Sequence, residues 1–211
     1  MIVRALLLSL SLSLSSLSAY ELVVRDFRIA LGTGGTDFDY DISGSTVAAS
    51  GSDTFDSALS LDFGGRWSFA RPGDALGLVV GADLGWESLG FGSGSLQTLR
   101  AHGSAGLGWA VSDFWTVTGE LGLLYGRSTW EVPASVGAER YTADGDALGY
   151  DLRVDATWRL SKRLGVGGFL GWQIMEHEVE SKGVTSTLDR SGWIAGVLVF
   201  WRFSNAPPTL Q

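Results

Sequence analysis

Apolar and polar residues alternate along most of the chain with the period of a β-strand. From Phe55 to Phe69 the odd positions read Phe55, Ser57, Leu59, Leu61, Phe63, Gly65, Trp67 and Phe69. The even positions between them, Asp56, Ala58, Ser60, Asp62, Gly64, Arg66 and Ser68, are small or charged throughout. The same phase returns in Leu76, Leu78, Val80, Ala82, Leu84 and Trp86, and again in Leu99, Ala101, Gly103, Ala105, Leu107 and Trp109. Further runs cover 115–125, 148–160, 164–174 and 193–203, the last one mixed because Ile194, Leu198 and Phe200 interrupt its polar side. A first strand over 25–32, with Phe27, Ile29 and Leu31 on the apolar side, makes eight. The pattern predicts an all-β fold, an eight-stranded antiparallel up-and-down transmembrane β-barrel.

The connections vary in length in a regular way. The stretches 33–54, 127–146 and 177–190 are long, 90–95 is medium, and 70–74, 112–113 and 161–163 are short. Short turns at one end and longer loops at the other is the arrangement of an outer-membrane barrel, whose short turns and termini face the periplasm. The three long stretches are the expected loops, and recognition is expected there.

Alternation alone also fits a soluble barrel with an apolar interior, so composition has to decide which face is outside. The polar face is built from Gly, Ala, Ser and isolated charges, which suits a narrow lumen better than a hydrated exterior. Only two lysines, Lys162 and Lys182, are available to cover a watery surface. Trp67, Trp109, Trp115, Trp158 and Trp201 sit on the apolar face beside the short turns or the chain end. Trp86, Tyr125, Tyr150, Trp172 and Trp193 sit on that face toward the long connections. Two aromatic girdles around an aliphatic band match the two interfaces of a bilayer.

The inward positions then hold Asp62, Asp83, Glu87, Glu120, Asp151 and Asp155 against Arg28, Arg66, Arg100, Arg153, Arg159 and Arg202. Buried charges need partners, so a balanced salt-bridge core is expected. A regular hairpin over 90–95 sets Glu87 opposite Arg100. The turn at 161–163 sets Arg153 opposite Gly171 and Arg159 opposite Gly165, leaving room for the guanidinium groups to cross the lumen.

Residues 1–19 read as a secretory signal peptide, with Arg4 ahead of an apolar and serine stretch that ends at Ala19. The barrel is expected over 20–203, with a short periplasmic tail at 204–211. The formal net charge of −8 speaks against nucleic acid as a partner, and losing Arg4 makes the remainder more acidic still. There is no cysteine, hence no disulfide framework and no thiolate metal site.

The signal, the eight alternating strands, the girdles and the aromatic-ended last strand together resemble the small outer-membrane barrels of the OmpA, OmpX and OmpW type. That resemblance implies a bacterial outer-membrane location, with outer-membrane lipid and lipopolysaccharide as surroundings. It also implies recognition of the last strand by the barrel-assembly machinery, for which Gly196, Val199, Trp201 and Phe203 have the right character. Ser204 to Gln211 continue past the aromatic end, which departs from the usual terminal phenylalanine, and are too few for a peptidoglycan-binding domain.

His102-Gly103-Ser104 is the one catalytic-looking spacing. It resembles the His-x-Ser pair of lipid A deacylases of the PagL type, with Glu120 on the following strand nearby. The asparagine that follows the serine in that family is Ala105 here, and the pair points into the lumen. Asp37-Phe38-Asp39-Tyr40-Asp41 opens like a calcium loop but has Ile42 and Ala48 where glycine and glutamate are needed. Glu176, Glu178 and Glu180 around His177 read as a solvated acidic run, and Gly32-Thr33-Gly34-Gly35 has no helix behind it to form a phosphate cradle. No catalytic, cofactor or metal site is therefore expected. The expected role is a non-enzymatic structural or surface-interaction protein acting through its extracellular loops on an unidentified ligand. A narrow porin-like channel is the alternative, and an outer-membrane lipid A-modifying enzyme ranks behind it.

Overall fold

The computed structural model describes residues 21–44, 48–71, 73–133 and 140–203. The predicted signal and tail lie outside the described residues. Nine strands are formed: β1 (Glu21–Gly44), β2 (Ala48–Thr54), β3 (Ser57–Ala70), β4 (Leu76–Phe91), β5 (Gly94–Ala110), β6 (Trp115–Val132), β7 (Tyr141–Arg159), β8 (Leu164–Ser181) and β9 (Val184–Arg202). Each of β3 to β8 pairs antiparallel with the next, and β1 pairs with both β3 and β9. The seam between β1 and β9 runs from Asp26↔Arg202 to Gly44↔Val184 and closes a ring of eight, as the alternation predicts. The ninth strand, β2, folds back on the far half of β1 and ends the sheet there.

At one end the strands are joined by tight turns. Ser112 Oγ accepts hydrogen bonds from the backbone N–H groups of Phe114 and Trp115, at 3.3 and 3.1 Å. Ser161 Oγ does the same for Arg163 and Leu164, at 3.3 and 3.0 Å. Both turns therefore supply locally the acceptors that a sheet end lacks.

The opposite end corrects one expectation. The stretches read as long loops are strand: β1 and β2 occupy most of 33–54, β6 and β7 most of 127–146, and β8 and β9 most of 177–190. What changes along each strand is the sign of the alternation. On β8 the outward positions are Leu164, Val166, Gly168, Leu170, Trp172 and Ile174, then Glu176, Glu178 and Glu180. The inward positions run the other way, from Gln173 through Met175 and His177 to Val179. On β6, outward Leu121, Leu123 and Tyr125 give way to Arg127, Thr129 and Glu131, while inward Glu120 gives way to Leu124, Trp130 and Val132. Lipid bathes the first half and water the second, so the apolar side must move from outside to inside. A reading tuned to outward apolar residues loses the strand where the solvent changes.

The lipid-facing zone is wide. Leu123 and Leu121 are 71% and 67% exposed on its surface, which no water-facing core residue tolerates. At the usual rise and tilt, Leu164 to Ile174 spans about 26 Å along the barrel normal, close to the hydrocarbon band of an outer membrane. All ten predicted girdle aromatics, Trp67, Trp86, Trp109, Trp115, Tyr125, Tyr150, Trp158, Trp172, Trp193 and Trp201, are exposed on this face. Trp115 and Trp158, partners across β6 and β7, stack with ring centroids 5.8 Å apart.

Candidate functional site

Inside the ring the lumen is filled in layers. The layer within the lipid-facing zone is charged and the layer beyond it is apolar.

Asp83 on β4 is the hub of the charged layer. It accepts from Arg28 Nε and Nη2 at 3.2 and 2.9 Å, from Arg66 Nη1 at 2.9 Å, and faces His102 Nδ1 at 3.1 Å. Arg28, on β1, also reaches across to Asp155 on β7 at 2.7 Å, and Arg153 Nε donates to the same carboxylate at 2.5 Å. Arg66 Nε donates to Glu120 at 2.9 Å, and Ser104 donates its hydroxyl to the other oxygen of Glu120 at 2.5 Å. His102 Nε2 lies 3.1 Å from Asp151. A second group begins at Asp62, which Arg100 contacts at 3.1 Å, and passes through Glu87 to Arg190 on β9. Arg190 Nε then donates to His177 Nε2 at 3.0 Å, and His177 Nδ1 pairs with Ser128 at 2.8 Å.

Glycine makes the room for these side chains. A Cβ placed on Gly122 would collide with His102 and Asp151, one on Gly81 with Arg66, and one on Gly85 with Asp62. Large charged groups from one strand thus lie over bare backbone on its neighbour. Arg28 and Arg66 brace the walls, because Arg28 is shared between Asp83 on β4 and Asp155 on β7, and Arg66 between Asp83 and Glu120 on β6.

Most of the predicted lumen set is brought together. Arg28, Asp62, Arg66, Asp83, Glu87, Arg100, Glu120, Arg153 and Asp155 are all buried, and Asp151 is partly buried against His102. Arg153 and Arg159 lie opposite Gly171 and Gly165 as the turn length implies. Three details differ from the sequence reading. Arg159 stays out of the network at the turn end, with its guanidinium 5.7 Å from the ring of Phe114. Arg202 is likewise apart and pairs with Asp26 across the β1–β9 seam at 3.0 Å. Glu87 stands opposite Thr98, and Arg100 opposite Gly85, because the hairpin closes tightly at Gly92 and Ser93 with Gly92 at φ +50°. Glu87 and Arg100 still meet diagonally at 3.3 Å.

Asp26, Arg190 and His177 were missed. Asp26 shares the inward phase of Arg28, and Arg190 that of Arg202, so extending the two-residue period would have found both. Trp130 was missed as well. It belongs to the apolar layer with Phe38, Ile42, Phe55, Leu89, Phe91, Leu96, Val132 and Leu188, all at most 4% exposed. Phe38 stacks on Phe55 at 4.3 Å, and Phe91 meets Phe38 at 5.0 Å, so aromatic rings close the lumen above the charges. A smaller apolar group, Ala30, Phe169, Leu198 and Phe200, explains the mixed last strand: these side chains point inward beneath the arginines, and Arg153 lies 3.9 Å over the Phe169 ring.

The weaker candidates resolve as follows. His102 and Ser104 do not pair with each other; both ring nitrogens face carboxylates, and the hydroxyl is given to Glu120. Asp37, Asp39 and Asp41 lie on the outward side of β1, with Phe38 among them and Ile42 just after them pointing inward. Gly32 to Gly35 are ordinary strand residues. Among the described residues no group of His, Asp and Glu side chains is arranged to hold a metal ion.

A closed ring of eight strands, apolar toward lipid, charged within and girdled by aromatics at two levels, is a transmembrane β-barrel of the bacterial outer-membrane kind. A comparison with solved structures finds matches at low sequence identity. The outer-membrane protein OprG from Pseudomonas aeruginosa is 13% identical, with 84% of this chain and 95% of that one covered and a TM-score of 0.49. The outer-membrane protease OmpT from Escherichia coli is 8% identical, covering 87% and 98%, with a TM-score of 0.48. Neisserial surface protein A is 12% identical, covering 78% and 95%, with a TM-score of 0.40. No family model matches the chain, and neither does any curated protein.

Proposed function

We propose that this protein is a closed, non-conducting barrel that holds a rigid β-structured platform above the outer membrane for surface interaction. The short-turn end faces the periplasm and the tall end faces outward. The observation that carries this reading is the filling of the lumen: cross-braced ion pairs below, and an aromatic plug of Phe38, Phe55, Phe91 and Trp130 above. A cavity of about 50 Å³ remains between Arg28, Arg66, Glu120, Asp155 and Phe200, room for a few water molecules at most. Strands that continue past the bilayer as paired sheet make a stiff projection rather than a set of loose loops, which suits binding with little ordering cost.

Recording from the purified protein in planar bilayers tests this. A silent membrane is expected. A steady conductance that rises when Phe91→Ala and Trp130→Ala are introduced together would instead make the protein a channel with an aromatic gate.

A further inference from the structure

The sheet above the membrane does not close. β2 pairs with β1 from Asp37↔Thr54 to Ser43↔Ala48 and has no partner on its other side among the described strands. Six of its seven residues are exposed, Ala49 alone being half-buried. Which backbone groups face outward follows from the register. Phe55 N–H donates to Thr36 O at 2.9 Å, so the pairs two residues along, Asp53 with Phe38 and Gly51 with Tyr40, exchange hydrogen bonds with β1. Ser50, Ser52 and Thr54 therefore turn their N–H and C=O groups away from β1. The Thr54 N–H is taken up by Asp53 Oδ1 at 2.8 Å, as this phase requires. Ser50 and Ser52 remain as a bare edge.

Natural edges are blunted by lysine, proline, bulges or a covering segment. Ala48–Thr54 contains neither lysine nor proline, pairs with β1 without a bulge, and has no covering strand among the described residues. The side chains that stand outward on β2 are short hydroxyls, and behind them β1 and β9 carry Asp37, Asp39 and Asp189. Together with Ser52, Asp53 and Thr54 these line a groove of about 430 Å³. Asp39 and Asp189 stand directly opposite each other, a like-charge pair that a sheet normally avoids.

We infer that the free edge of β2 is a docking site for an extended, basic polypeptide strand from a partner protein. The added strand would hydrogen-bond to Ser50 and Ser52 at the usual spacing of about 4.8 Å. Its outward side chains then lie two strands from Asp37 and Asp39, a distance of about 10 Å that lysine or arginine spans over the small serines. A second copy of this chain fits poorly, since edge-to-edge pairing brings two acid-lined grooves together. The inference rests on the tall end being a binding platform. A conducting barrel in bilayers would remove that reading and leave the peptide result standing, whereas a silent barrel that ignores the peptide removes the edge alone.

The test uses the full chain in phospholipid nanodiscs and a seven-residue peptide of alternating Lys and Val, the length of β2. Its controls are the Glu/Val counterpart and a Lys/Val peptide N-methylated at alternate residues. Amide exchange at Ser50 and Ser52 should slow by roughly tenfold or more with the Lys/Val peptide only. Ser52→Pro, which removes an N–H not used by β1, should abolish the protection. The combined change Asp37→Asn, Asp39→Asn and Asp189→Asn should weaken binding by about tenfold and flatten its salt dependence. Equal binding of the N-methylated peptide without protection would show attraction by charge alone and overturn the proposal. So would equal protection by the Glu/Val peptide, or disulfide-linked dimers of Ser52→Cys forming while no peptide protects the edge.

Discussion

Asp83 touches Arg28, Arg66 and His102, more basic side chains than any other carboxylate of the charged layer contacts. Breaking a buried pair by removing one partner costs about 3–5 kcal/mol, so Asp83→Ala should lower the urea midpoint of the lipid-embedded barrel by a corresponding amount. Exchanging Arg202 and Asp26 at the rim, where both are more accessible, should cost much less. Glycines offer a second contrast. Gly122→Val should prevent assembly, because His102 and Asp151 occupy the space above that backbone, whereas Gly103→Ala meets nothing and should be tolerated. Gel mobility with and without heating reads both outcomes. Parity alone told which side chains enter the lumen, since every second residue must share a face. It did not tell which partners they choose. Glu87 and Arg100 stand two residues out of direct register because the hairpin is centred on Gly92–Ser93, one residue earlier than that pairing requires. The pairing of Arg28 with Asp155 joins residues that only ring closure brings together.

Along each strand the telling element is the point where outward residues change from apolar to polar. Leu152 sits within the lipid-facing zone, and Thr187 on the outward side of the projecting half of β9. Arginine at the first position should cost about 2–4 kcal/mol in vesicle-based unfolding, the usual penalty for a charge at mid-bilayer. Arginine at the second should change stability by no more than about 0.5 kcal/mol, since Asp41 and Glu178 flank it in register. Equal costs at both sites would place the membrane boundary elsewhere. The lower half of every strand was legible in the sequence because its apolar face is unbroken. The upper halves were taken for loops although the alternation continues there. Phe38 between Asp37 and Asp39, or Val179 between Glu178 and Glu180, is the same two-residue period with its sides exchanged. A pattern search that fixed the period and let the polarity float would have recovered them.

For the molecule as a whole, tryptophan reports position. Trp130 is fully buried in the aromatic plug, and the other tryptophans are exposed on the lipid-facing surface. Brominated lipids should quench the emission of a variant retaining only Trp172 and leave one retaining only Trp130 bright, while aqueous iodide should reach neither efficiently. Strong quenching of Trp130 by either agent would mean that the plug is open. The architecture also has a consequence for how the protein is made. β1 is complete early in the chain, yet its partner along Asp26 to Gly44 is β9, the last strand to be delivered. Until then the growing sheet carries two naked borders, and Glu87 and Asp26 still lack Arg190 and Arg202. Such an intermediate is prone to stick to its neighbours, and closure at so great a sequence separation is intrinsically slow. Shortening β9 should therefore leave a product that accumulates as aggregates or is degraded rather than one that inserts as a smaller ring.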